Sequence, residues 1–226
     1  MMMTILNKLH ENDFIWLNRG KKFFVFLIDE RLWNEKFNCF LYLLFSLSCG
    51  SPIQDENLSI FRYNQASGIA TLDPAFAKDQ ATIWACNQLF SGLVQLNRNL
   101  EVRPSIAKSW EISENGLQYI FFLRANVFFH SHEIFKEKRR VVASDFTYSF
   151  NRLKSKELAA PGAWVLSNVE SYSAINDSTF AINLKKPFPP FLGILSMQYC
   201  SVVPKEIVEN VNFRQQPIVT GPFKYQ

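Results

Sequence analysis

Glycine is scarce in this chain, with 8 in 226 residues, and none lie in the spaced runs that cradle a nucleotide phosphate. Histidine is scarcer still, with 3 in all: His10 near the start, then His130 and His132. Two positions apart on a strand share a face, so His130 and His132, with Glu133 beside them, have the geometry for two metal ligands. No third histidine follows, and Cys86 or Cys200 would have to come from far along the chain, so neither a metal nor a cofactor is expected. The sequence holds no GxSxG, HExxH or phosphate loop, which leaves a hydrolase as the weakest reading. An excess of one charge is also missing. The formal net charge is +4, and residues 49–226 alone carry 18 basic against 15 acidic groups, too even a balance to steer a nucleic acid. The one basic run, Lys136-Glu137-Lys138-Arg139-Arg140, reads as a solvated loop. Internal repeats and low-complexity tracts are absent.

No apolar run approaches the roughly 20 residues that a membrane-spanning helix needs. The nearest, FNCFLYLLFSL over 37–47, has 11 residues, which is the length of a secretory h-region. Lys36 precedes it and Ser48-Cys49-Gly50-Ser51-Pro52 follows, so export is the first reading. Cys49 then stands where a bacterial lipoprotein carries its acylated cysteine, ahead of a polar tether. Ser46 holds the place where such a signal has Leu, with Leu47 one residue nearer; the alternative is a core segment with an incidental cysteine. Residues 1–35 mix both charge signs around a second apolar run, Phe23 to Ile28, and fit no short basic n-region, so the true start is expected nearer Lys36. Of the other cysteines, Cys39 belongs to the leader. Cys86 and Cys200 have no CxxC or zinc spacing, and two buried free thiols are expected.

What is abundant is apolar material: 48% of residues, including 22 phenylalanines, enough for a sizeable core. Leu58 to Tyr63 has a strand's composition, and a loop with Gly68 and Asp73-Pro74 follows. Ala81 to Gly92 has helical spacing through Ile83, Trp84, Leu89 and Phe90, with Gly92 as the stop. Leu93–Leu96 reads as a strand before the Asn97-Arg98-Asn99 turn. Pro104 to Arg124 is the clearest local pattern. Trp110 and Ile112, then Tyr119, Phe121 and Leu123, alternate about Glu114-Asn115-Gly116, which predicts a hairpin. Val127-Phe128-Phe129 reads as a short continuation. A helix capped at Ser144-Asp145 runs through Phe146, Tyr148, Phe150 and Leu153. Thr179–Leu184 is a further strand, FLGILSM and the stretch after Pro204 are short helices, and a strand is expected to open at Thr220.

The stretch PSIAKSWEISENGLQYIFFLR resembles the segment that marks bacterial family 5 extracellular solute-binding proteins, the dipeptide- and oligopeptide-binding proteins of ABC importers. Gln118 stands where that family more often has Thr. LSIFRYN and LDPAFA, NQLFSGLVQLN, ANVFFHSHEIF, VVASDFTYSFNRL, LKKPFPPFLGILS, SVVPKE and TGPFKY resemble its other segments in the expected order. At ANVFFHSHEIF, Ser131-His132 replace the family's usual Asp-Gly turn.

The resemblance implies an α/β fold of the class II periplasmic binding protein type, two-lobed and cut before the third domain. Residues 1–48 would be the leader and 49–56 the tether. Residues 57–90 and 205–226 would belong to the large lobe, and 91–204 to the small lobe. It implies capture of a peptide or similar small solute between lobes and delivery to permease subunits, without chemistry on the solute, by a lipoprotein anchored at Cys49 in the periplasm or cell envelope. Lys78, Asp79 and Gln80, after Leu72-Asp73-Pro74, become candidates for contacts to a peptide backbone. Trp164 is a candidate aromatic wall, although a lone Trp more commonly packs in a core. The competing reading is a truncated or non-transporting surface lipoprotein that binds nothing by itself.

Overall fold

The computed structural model describes Asn64 and residues 68–224. The leader, Cys49, the tether and the strand expected at Leu58–Tyr63 lie outside the described residues. Helix α1 spans Gln80–Leu89. It buries Ala81, Ala85, Cys86 and Leu89, whereas Trp84, which the sequence pattern places on the apolar face, is 51% exposed. Gly92 does not stop this helix. Phe90 turns to extended backbone, the Gly221 N–H donates to Leu89 O at 2.8 Å, and the Ser91 N–H donates to Thr220 Oγ1 at 3.1 Å. Residues 220–224 accordingly form no strand, with bends over 221–223, and Thr220 and Gly221 spend their polar groups on closing a helix end instead.

Strands β1 (Val94–Leu96) and β2 (Val102–Pro104) make a small antiparallel pair. A second sheet is built from β3 (Ala107–Ile112), β4 (Gln118–Leu123), β5 (Val169–Asn176) and β6 (Thr179–Leu184), in the order β3-β4-β6-β5, all antiparallel. The predicted hairpin is β3–β4, with Trp110 opposite Phe121 and Ile112 opposite Tyr119. Gly116 takes φ +66°, a conformation costly for a residue with a Cβ, and Asn115 Oδ1 accepts the Leu117 N–H at 3.1 Å. Val127–Phe129 contributes only a bridge, Phe128 to Arg140.

Helix α2 (Ala143–Lys154) lies on the sheet. The period of two along β4 and β6 aims Tyr119, Phe121, Leu123, Phe180, Ile182 and Leu184 at it, all buried. Phe146 and Phe150 meet them from the helix, their rings 5.7 and 5.6 Å from that of Phe180. Each such ring contributes about 1.5–3 kcal/mol on burial. Helices α3 (Phe191–Leu195) and α4 (Lys205–Val208) are short.

A second cluster draws on both ends of the described chain: Leu72, Ala77, Cys86, Leu89 and Phe90 pack with Val203, Ile207, Phe213 and Val219. Cys86 lies in this cluster and Cys200 in the first. Both are free thiols, and burial pushes each up to about 12. Polar bonds join the clusters. Asp73 is fully buried and receives two N–H groups from the Arg152 guanidinium, one at 2.9 Å and one closer. The Ser149 hydroxyl accepts the Val203 N–H at 3.0 Å and donates to Asp145 O at 2.8 Å. Gln198 Nε2 donates to Ala77 O at 3.1 Å.

Removing either partner of the Asp73–Arg152 pair strands a buried charge. Asp73→Ala or Arg152→Ala is expected to cost about 3–5 kcal/mol in urea denaturation. The double variant should lose clearly less than the two single losses combined.

Candidate ligand-binding site

The loop after Leu72 is shaped by its own residues. Asp73 Oδ1 accepts the Ala75 N–H at 3.1 Å and caps a 3-10 turn over Pro74–Phe76, which proline pre-sets by fixing its own φ. The Arg214 guanidinium covers the Phe76 ring at 4.2 Å, and the Leu72 N–H donates to Arg214 O at 2.8 Å. Lys78, Asp79 and Gln80 emerge from this turn exposed. Asp79 is the N-cap of α1: one carboxylate oxygen accepts the Thr82 N–H at 3.0 Å and the other the Thr82 hydroxyl at 2.9 Å. These bonds, the backbone one foremost, hold its carboxyl below the usual carboxylate value. Its charge is thus committed to the helix, while the side chains of Lys78 and Gln80 make no hydrogen bond or ion pair closer than 4 Å among the described residues.

Trp164 lies on a 3-10 turn over Pro161–Leu166 that packs against the Pro74–Phe76 turn and against residues 198–200. Gly162 allows the contact. A Cβ there would stand 2.3 Å from Tyr199 Cδ1, so the turn lies flat on the tyrosine ring. Trp164 is itself 52% exposed, which corrects the expectation that a lone Trp sits in the core. The segments carrying Lys78–Gln80 and Trp164 are therefore neighbours. Trp84, one turn beyond Gln80 on the same exposed face of α1, was hidden from sequence reasoning because it falls among helical apolar positions.

His130 and His132 serve the backbone. His130 Nε2 lies 2.9 Å from Gly221 O, and since a carbonyl only accepts, Nε2 carries the proton. His132 Nδ1 accepts the Ile134 N–H at 3.2 Å. Among the described residues no group of three His, Cys, Asp or Glu is placed to hold a metal ion.

With this geometry in place, the family model described as "Bacterial extracellular solute-binding proteins, family 5 Middle" matches residues 101–226, which takes in both main strand pairs of the four-stranded sheet and α2. The chain belongs to this family. It is 30% identical over 157 residues to the dipeptide-binding protein of Escherichia coli K12, covering 61% of this chain and 29% of that protein. It is 29% identical over 205 residues to di/tripeptide-binding protein 2 of Pseudomonas aeruginosa, covering 82% and 38%. Among solved structures, the periplasmic binding protein DppA of Helicobacter pylori in complex with the peptide STSA superposes with a TM-score of 0.63 at 29% identity, over 70% of this chain and 35% of that one. The chain thus has part of the mixed α/β fold of class II periplasmic binding proteins and spans about a third of the length of these relatives.

Family 5 consists of solute-binding proteins. The most connected ion-pair cluster is structural: Arg139 meets Asp145 at 2.6 Å and Glu206 at 3.0 Å, and Asp145 Oδ2 accepts the Val142 N–H at 2.9 Å at the start of α2. Burial raises the Asp145 carboxyl, only partly offset by Arg139. Burial pushes Glu206 up as well, but hydrogen bonds from its own backbone N–H and from Arg139 outweigh that and leave it below 4.5. Burial alone would lower Arg139; its two carboxylate partners reverse this and raise it.

The signs give opposite pH slopes. Glu206, lowered on folding, adds stability above its ordinary value that is lost as pH falls through the folded value; Asp145, raised, removes stability as pH rises through the window above 3.8. Glu206→Gln should lower the thermal midpoint at pH 7, and the gap to the unmodified chain should close as the buffer is taken well below pH 4.5. At the candidate site, Asp79→Ala should lower the thermal midpoint through the lost cap, with Asp79→Ser restoring most of the loss. Trp164→Ala should stay within about 0.5 kcal/mol in the same melts, as for an exposed side chain.

Proposed function

We propose that this chain is part of a periplasmic receptor that captures short peptides, or small solutes like them, for an ABC importer. The observation that carries the reading is family membership over the sheet, α2 and the Thr220-Gly221 strap, with relatives whose names specify di- and tripeptides. Lys78 and Gln80 offer an ammonium and an amide at the edge of the Leu-Asp-Pro loop, suited to a peptide's carboxylate and main chain. Trp164, half-exposed on the adjoining turn, offers a flat apolar wall at little cost in conformational entropy. Asp79 supports the site indirectly, by fixing where α1 begins.

Residues 57–90 and 205–226 form one lobe segment in this reading and 91–204 the other. Residues 1–48 export the chain, Cys49 takes the lipid, 49–56 tether it to the membrane, and the loaded receptor passes its solute unchanged to permease subunits. Because the chain spans about a third of its relatives' length, a second reading stands beside the first: a surface lipoprotein that binds nothing alone.

Isothermal titration of the purified chain with a mixture of di- to tetrapeptides separates them. Saturable heat, a rise in thermal midpoint, and weakening of both by Gln80→Ala and Trp164→Ala are expected. Silence from a sample that melts cooperatively would leave the second reading.

A further inference from the structure

Residues 126–132, 135–138 and Thr220 line an open surface cavity of about 880 Å³, within the range of sites that hold small organic molecules. It shares no residue with the Lys78–Gln80 and Trp164 surface. Its wall is aromatic, from Phe128 and Phe135, and its polar lining is rich in donors. His132 accepts at Nδ1, so its neutral ring carries the proton on Nε2, and no acceptor meets that proton among the described residues. The Thr220 oxygen accepts from Ser91, which leaves its own hydrogen available, and Ser131 adds a second hydroxyl. The Lys138 ammonium rests on the Phe128 ring, 4.1 Å from its centre, so it is already placed beside the aromatic wall. Lys136 has no ion-pair partner among the described residues.

The neighbouring cations are spoken for: Arg139 by Asp145 and Glu206, Arg140 by Asp177 at 3.5 Å. Against these donors the lining sets one carboxylate, Glu137. A cation would face two lysines here and a neutral polar molecule would leave their charges unanswered, whereas a carboxylate on a flat apolar body satisfies both the donors and the rings. We propose that this cavity is a second binding site, for a small aromatic carboxylate, separate from the peptide surface and independent of whether that surface binds.

The probe is 2-naphthoate, titrated into the full chain and read by saturation-transfer NMR and calorimetry, with 2-naphthylmethylamine as the cationic control. Saturable binding of naphthoate, at least fivefold tighter than the amine, is expected. Lys136→Ala/Lys138→Ala should weaken it by roughly tenfold, in line with loss of charge-assisted bonds, in a chain that still melts cooperatively, since both side chains are exposed and only the Lys138–Phe128 contact is lost. No saturation transfer, equal affinity for the amine, or an unaffected double variant would overturn the site. Displacement of naphthoate by the di- to tetrapeptide mixture would also overturn it, by assigning the anion to the peptide surface.

Discussion

The described structure depends most on a carboxylate that water does not reach. Asp73 lies between buried Leu72 and Pro74, and an ionised group in such a place is tolerated only when its oxygens are answered. Arg152 answers with two donors from the last turn of α2, and the Ala75 N–H takes the remaining capacity of Oδ1. The Arg152 side chain is only 13% exposed, and its guanidinium lies over the Phe213 ring at 5.9 Å. One ion pair thereby fixes the start of the Leu-Asp-Pro loop, the end of α2 and a residue of the second cluster. The positions of Lys78 and Gln80 follow from it, since only a 3-10 turn and an N-cap separate them from Asp73.

The same pair limits motion. Helix α2 gives Phe146, Phe150 and Leu153 to the sheet side and Tyr148 to the other cluster, while Ser149 bonds Val203 across the junction. A hinge opening between these clusters would strip Asp73 of its partner and break two buried side-chain bonds, a cost of several kcal/mol. Hinge closure on a solute of the usual low cost cannot run through this junction. The two clusters therefore move together, although they draw on chain segments that the two-lobed expectation separates.

How much of this was legible in the sequence follows the range of the interactions involved. The β3–β4 hairpin could be read because its period of two, its turn and its apolar face are all local. Strand β5 was not read: VESYSAIN places only Val169 fully inward, and what makes it a strand is its ladder to β6. The end of α1 was assigned to Gly92, a local signal, whereas a strap some 130 residues away ends it. Asp79 was legible in principle, since an Asp three residues before a Thr is a capping pattern, but the resemblance drew it toward a ligand. At α2, Ser144-Asp145 placed the start late: the helix opens at Ala143 after Val142, Ser144 caps nothing, and Asp145 acts from inside the first turn by accepting the Val142 N–H, half of a capping box. The exposure of Trp84 and Trp164 had no sequence signal, because it depends on which face of a helix and which ring beneath Gly162 the tertiary packing selects.

Helix α1 connects the two candidate surfaces. Its N-cap, Asp79, sets the edge that carries Lys78 and Gln80. Its far end is closed by Thr220 and Gly221, and Thr220 also lines the second cavity. Ten helical residues rise roughly 15 Å, so the surfaces stand at opposite ends of a short rigid rod rather than sharing a rim. His130 holds the strap from the other side through Gly221 O, and a Cβ at Gly221 would stand 2.6 Å from the Leu89 backbone, so the strap cannot lift without releasing the helix end. The interactions that terminate α1 thus also fix Thr220, the one residue of the strap that lines the donor-rich cavity.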